Sequence, residues 1–188
     1  MKVVVEHRTR PCPGEQANGD AAFVRHDGGS VLLAVVDALG HGPNAAAVTA
    51  SIVASLKEIP LNHGVESILA GLHNSLRGTR GAAALVCVLK NWRMEGAGVG
   101  NVELRCAGPS LPIRLSAGIL GSRWPRLNVF DGEVMPGHRL VLFSDGISRR
   151  FTLDALAGRS AAEACALLLE RHASPFDDAT VMVADLGG

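Results

Sequence analysis

The sequence has no charge imbalance, no paired cysteines, no clustered aromatics and no long apolar run, and each absence excludes a class of function. Lysine plus arginine number 18 and aspartate plus glutamate 18, so the formal net charge is zero. A protein whose main partner is nucleic acid or an anionic membrane carries a basic surface, and neither partner is expected here. Cys12, Cys87, Cys106 and Cys165 are scattered with no C-x-x-C pair, which offers no zinc site. Two of them lie in the apolar runs AAALVCVLK and EACALLLER, where cysteine acts as a small hydrophobe. That usage suits a reducing cytoplasm. Trp92 and Trp124 are too isolated to form a stacking platform for bases. The opening MKVVVEHRTRP turns charged too soon for a signal peptide, and no apolar run approaches the ~20 residues of a membrane span. Internal repeats, linkers and low-complexity tracts are also missing. The expectation is one cytoplasmic domain over residues 1–188.

What is present argues for a packed core: 47% of residues are hydrophobic and only 19% charged. Val3-Val4-Val5 opens a strand, and AAFVRHD and VLLAVVD follow, separated by the hairpin signal Asp27-Gly28-Gly29-Ser30. Pro43 suits the first turn of a helix, which should run to about Lys57 and stop before Pro60. In VESILAGLHNSLRG, Val65, Ile68, Leu69, Leu72 and Leu76 recur at helical spacing. About six short strands come next, among them RMEGAGVG, NVELRCAG, LPIRLS, RLNVFDG and HRLVLFSDG. One or two late helices, including SAAEACALLLERH, and the terminal strand ATVMVADL complete the chain. Strands and helices come in blocks, which favours an α+β protein over a doubly wound parallel sheet. Two packed, mainly antiparallel sheets with helices outside would use every element.

Four aspartates stand at ends of strand-like segments: Asp20 in NGDAAF, Asp37 in VVDALGHG, Asp145 in FSDG and Asp177 in PFDDATV. Each has an ordinary reading as a turn or cap residue. Each also has a sharper one, because an ionised carboxylate at the end of a buried strand is costly unless paired or bound to a metal. Strand ends from one sandwich can bring distant residues together, and converging carboxylates repel unless cations neutralise them. Oxygen-only donors favour Mg²⁺, Mn²⁺ or Ca²⁺. Four carboxylates would balance two divalent ions, and two ions about 3.5–4 Å apart are a standard means of activating water against a phosphoryl group. Spacing alone leaves both readings open.

The segments NGDAAF, LLAVVDALGHG, LVLFSDGISR and DDATVMV, in that order, resemble the metal-dependent type-2C serine/threonine phosphatases, in their SpoIIE-like branch. RGAAALVCVL and GVGNVELRCAGPSLPIRL extend the likeness over nearly the whole chain. The small size and the absence of a sensor domain resemble the stand-alone members that reset the bacterial stressosome. The resemblance implies a four-layer α-β-β-α sandwich with a binuclear Mn²⁺ or Mg²⁺ centre at one end. It implies that Asp37 bridges the two ions and that the Ala38 carbonyl and Asp20 serve one of them. Asp145 and Asp177 would hold the other, with Asp178 a secondary candidate. The implied substrates are phosphorylated STAS-domain scaffold proteins of a stressosome. One departure is that the family's Asp-Gly is Asp37-Ala38 here, and glycine's backbone freedom does not come free to alanine. The early arginine that many eukaryotic members use for phosphate has only Arg8 and Arg10 in its region.

In such an enzyme a metal-activated water attacks phosphorus directly, so no nucleophilic serine or cysteine is sought. Ser144 accordingly precedes Asp145 without a G-x-S-x-G elbow. GAGVGN lacks the third glycine and the helix of a dinucleotide loop. His41 is either a general acid for the leaving oxygen or an ordinary turn histidine. His63, His73 and His172 share no spacing and are expected at the surface. The loop SAGILGSRWPRLN is either a docking flap or a loop packed on its own sheet. Two other functions remain in play: a phosphatase-fold binding module without turnover, and a phosphatase of a small phosphate ester.

Overall fold

The computed structural model describes residues 1–108 and 111–187. Strand β1 (Lys2–Arg10) is followed by a hairpin of β2 (Asp20–Asp27) and β3 (Ser30–Ala38). The two-residue turn places Gly28 at φ 52° and Gly29 at φ 82°, the left-handed pair that a tight hairpin requires. Helix α1 (Gly42–Glu58) carries Pro43 in its first turn, and α2 (Gly64–Ser75) follows. Val65, Ile68, Leu69, Leu72 and Leu76 are all fully buried, as their spacing predicts. Then come β4 (Ala82–Lys90), β5 (Arg93–Val99), β6 (Glu103–Ala107), β7 (Val129–Glu133) and β8 (Arg139–Phe143). Helix α3 (Ala161–His172) and β9 (Ala179–Gly187) complete the order. Ser160 and Glu163 close a reciprocal capping box at the start of α3.

The strands form two antiparallel sheets, one ordered β1-β9-β8-β6 and the other β2-β3-β4-β5-β7. Three hydrophobic clusters fill the spaces between four layers. Leu32, Ala34 and Val36 of β3 pack with Ile52, Leu56 and Leu69 of the paired helices. Val31, Leu33 and Val35, on the opposite face, pack with Leu140, Leu142, Met182 and Ala184 of the other sheet. Val141, Phe143 and Val181 meet Ala164, Cys165 and Leu168 of α3. The apolar run VLLAVVD thus reflects a central strand covered on both faces, where alternation disappears.

The period-two geometry of β3 has a direct consequence for its last acidic residue. Asp37 shares the parity of Val31, Leu33 and Val35 and so lies on the inter-sheet face, where that face reaches the end of the sandwich. Asp20 pairs with Asp37 in register and lies on the same side. From the other sheet, Ser144 and Thr180 continue the even parity of Leu140, Leu142, Met182 and Ala184. The two inner faces therefore open together at one rim.

Some expectations need correction. Among the described residues, five strands rather than about six fill the middle of the chain, and α3 is the one late α-helix, preceded by a short 3₁₀ turn at Leu153–Leu156. The segment LPIRLS is extended but is not a strand. Leu111, Ile113 and Leu115 pack toward the inter-sheet core, yet Pro112 has no N–H to give a ladder, and only Ser116 makes a bridge, to Val99. His73 is buried, not surface: its Nδ1 accepts a hydrogen bond from the Gly121 backbone at 3.2 Å, and its ring meets Trp124 edge-on. The loop around Trp124 is thereby packed on its own domain, with Leu120 fully buried and bridged to Ala82. The β4–β5 turn is made by Asn91 at φ 49° and Trp92 at φ 60°, a left-handed pair without glycine.

Candidate active site

Asp20 and Asp37 stand opposite one another at the open end of the β2–β3 ladder. Asp20 is buried, and burial pushes its carboxyl up to about 7, with Asp178, Asp145 and Asp177 adding to the rise. The Ser144 hydroxyl opposes that rise by donating to Asp20 Oδ2 at 2.5 Å. Asp37 is pushed up to about 8, first by burial and then by the charges of Asp20, Asp145 and Asp177. Asp177 is also raised, by burial and by Asp145, while the Asp178 N–H it accepts at 2.9 Å and, less strongly, His41 pull it back. The mutual influence of these groups places Asp20, Asp37, Asp145 and Asp177 at one rim.

Asp178 behaves differently from its neighbour. Its two oxygens accept backbone N–H groups, Oδ1 from Cys12 and Oδ2 from Gly19, both at 2.8 Å. It thus clasps the β1–β2 loop in place beneath Asp20. Thr49 of α1 ties down the same loop by donating to the Gly19 carbonyl. Ala38 donates its N–H to that carbonyl at 3.0 Å. Ala38 has no left-handed backbone, the described non-glycine residues with positive φ being Asn91 and Trp92. Alanine therefore occupies the family's glycine position without backbone strain. Arg10 donates to the Ser174 carbonyl and is a structural tie; Arg8 is an exposed residue of β1 paired with Val181.

Two further residues at the rim escaped the sequence reading. Asn101, in the GN turn between β5 and β6, donates to Asp145 Oδ2. Ser144 both holds Asp20 and accepts the Thr180 N–H at 3.0 Å. Its neighbour Gly146 is needed for space, since a Cβ there would lie 1.8 Å from the Asp178 carbonyl oxygen. The β8–α3 and α3–β9 loops touch backbone to backbone at that point.

The donor set suits hard cations. Asp20, Asp37, Asp145, Asp177 and Asp178 make no ion pair with any lysine, arginine or histidine among the described residues. Buried carboxylates kept near one another without a cationic side chain are the environment in which divalent ions bind. Among the described residues no three acidic, histidine or cysteine side chains are gathered closely enough to cage an ion as they stand. A cleft of about 1020 Å³, lined by Asp27, Pro60, His63, Lys90, Arg93 and Asp131, lies at the far end of the β2–β7 sheet and contains none of these aspartates. An open rim suffices where recognition is of charge rather than of an apolar ligand.

The profile of the family described as Stage II sporulation protein E (SpoIIE) matches residues 27–187. The chain belongs to the SpoIIE family. Among similar proteins, phosphoserine phosphatase RsbX of Bacillus subtilis (strain 168) is 26% identical over 141 residues, 72% of this chain and 70% of RsbX. The crystal structure of RsbX in complex with magnesium is 21% identical and superposes with a TM-score of 0.85, over 98% of this chain and 96% of that one. A chain from a structural study of the bacterial stressosome, a modular system adapted to control secondary messenger signalling, is 34% identical. Its TM-score is 0.91, over 98% of this chain and all of that one. The catalytic domain of serine/threonine protein phosphatase PstP, in complex with two manganese ions, is 18% identical with a TM-score of 0.78 over 99% of each chain. This SpoIIE-family protein has the PP2C fold, two antiparallel sheets flanked by helices, and is a PP2C-type phosphatase similar to RsbX. Among the described residues no helix is long and apolar enough to cross a membrane.

Proposed function

We propose that the protein is a divalent-metal-dependent serine/threonine phosphatase that removes phosphate from STAS-domain scaffold proteins of a stressosome. The observation that carries the metal dependence is the rim itself, where the buried Asp20 and the half-buried Asp37 stand beside Asp145 and Asp177 with no ion-pair partner among the described residues. Asp37, which faces Asp20 across the ladder and feels the charges of Asp145 and Asp177, would be the residue shared between two Mn²⁺ or Mg²⁺ ions. Asp20 and the Ala38 carbonyl would serve one ion, Asp145 and Asp177 the other. Such ions supply an acidified water and offset charge on the phosphoryl oxygens. The binding of magnesium by RsbX and of two manganese ions by PstP supports this reading.

The chain's own residues orient the acidic groups. Ser144 fixes Asp20, Asn101 fixes Asp145, and Asp178 holds the loop below them. Asp178 is thus a positioning residue, which leaves Asp177 as the ligand of that pair. Binding ions would draw the carboxylates inward by side-chain rotation, since they do not yet form a cage. The relatives RsbX and the stressosome chain support a stressosome scaffold as substrate, and four unpaired cysteines fit a cytoplasmic setting. The domain over residues 1–188 would act as one unit.

Incubation with phosphorylated STAS-domain protein, with and without Mn²⁺, tests the proposal by mass spectrometry. Loss of one phosphate's mass only with the metal is expected. Metal uptake by calorimetry without any mass loss would point to another phosphate ester as substrate. Neither uptake nor mass loss would leave a binding module.

A further inference from the structure

The β1–β2 loop brings a carboxylate to the histidine that follows the Asp37 turn. Glu15 Oε1 lies 3.0 Å from His41 Nδ1. The same carboxylate rests on the first residue of α1: a Cβ on Gly42 would meet Glu15 Oε2 at 3.0 Å. The loop is fixed at several points rather than loosely apposed. Glu15 donates its N–H to the Cys12 carbonyl at 2.9 Å, and the Cys12 N–H is bound by Asp178. His41 caps α1 without using its side chain for the cap, so the imidazole is available to Glu15. His41 is also near enough to Asp177 to favour that carboxylate's charge.

We infer that Glu15 is a positioning residue for His41, holding its Nδ1–H so that Nε2 delivers a proton to the oxygen that leaves the phosphorus. This inference rests on the phosphatase reading given above. A carboxylate on Nδ1 fixes the ring's tautomer and orientation. In the step, a water oxygen forms the new P–O bond as the bond to the serine oxygen breaks. The serine oxygen keeps the bonding pair and takes the Nε2 proton. The attacking water releases a proton to solvent, and His41 recovers one from solvent before the next turnover. A serine alkoxide needs that proton, whereas a nitrophenolate does not.

The test compares wild type, Glu15→Gln, Glu15→Asp and His41→Gln with Mn²⁺ on two substrates, a phosphoseryl peptide and p-nitrophenyl phosphate. Glu15→Gln and His41→Gln should each lower kcat on the peptide roughly 10- to 100-fold with KM little changed. Turnover of p-nitrophenyl phosphate should stay within about twofold, and Glu15→Asp should recover part of the loss. A second readout needs neither metal nor turnover: nitrogen NMR of the His41 ring in the metal-free protein should show the Nδ1–H held in the wild type and a more mixed tautomer in Glu15→Gln. Equal loss on both substrates, or unchanged peptide turnover in Glu15→Gln, would overturn the positioning role while leaving the phosphatase reading intact. No turnover of either substrate by the wild type would overturn both.

Discussion

Asp20 and Asp37 are direct cross-strand partners on the face between the two sheets, and both carboxyls are raised by burial, Asp37 also by the charge of Asp20 and Asp20 by that of Asp178. Like charges directly opposed across a ladder destabilise it. Their placement together at this rim is therefore a cost to folding that a bound cation would remove.

Asp37→Asn should abolish most activity, by on the order of 10²-fold or more, and weaken Mn²⁺ uptake measured by calorimetry. The same variant, without metal, should melt at higher temperature than wild type at pH 8, because one of the opposed charges is gone. A variant that retained full Mn²⁺-dependent turnover would falsify the assignment of Asp37.

The metal-free protein should lose stability as pH rises. Asp20 and Asp37 have folded values near 7 and 8 against 3.8 unfolded. Their contribution is fully present below about pH 4 and is lost as pH rises through 7 to 8. Between pH 5.5 and 9 the loss should be on the order of a few kcal/mol, visible as a falling melting temperature. Saturating Mn²⁺ should flatten that slope, since a bound ion favours the ionised carboxylates.

Ser144→Ala should destabilise the fold by about 1–3 kcal/mol, because it leaves the buried Thr180 N–H and one oxygen of Asp20 without their partner. Denaturant unfolding gives the size, and Asp20 should titrate still higher in the variant.

Ala38→Gly, which restores the family dipeptide, should not improve the enzyme. Ala38 has no left-handed backbone, so glycine adds only freedom to the unfolded chain, at about 0.5–1 kcal/mol. Activity unchanged or lower, with a slightly reduced melting temperature, is the expected outcome.

Much of this architecture is legible in the residues because β3 and β8 announce themselves. VLLAVV and LVLF are apolar throughout, and only strands covered on both sides can be so. The spacing of Val65, Ile68 and Leu72 likewise fixes the buried face of α2. The blocks of strands and helices point to two packed sheets with helices outside, and the four aspartates stand out at strand ends, but spacing alone does not say which strand ends meet; a shared ion site and its ligand roles came only from family likeness. Ser144 and Asn101 were invisible for a related reason. Ser144 meets Asp20 across 124 positions of sequence and between two sheets, and no local pattern records such a meeting. Asp177 and Asp178 are adjacent and identical in chemistry. Only the backbone donors at Cys12 and Gly19 separate the clasp from its half-buried neighbour. Glu15 lies in an irregular loop whose path depends on that same clasp.

The absent side chain at Gly146 sets a distance. Because main chain presses on main chain between the segments bearing Asp145 and Asp177, the span between those two acids is dictated by backbone thickness rather than by any adjustable group. Neighbouring surfaces can therefore change to suit new phosphoproteins while that gauge stays constant, and a methyl at Gly146 should disable the protein against every substrate alike.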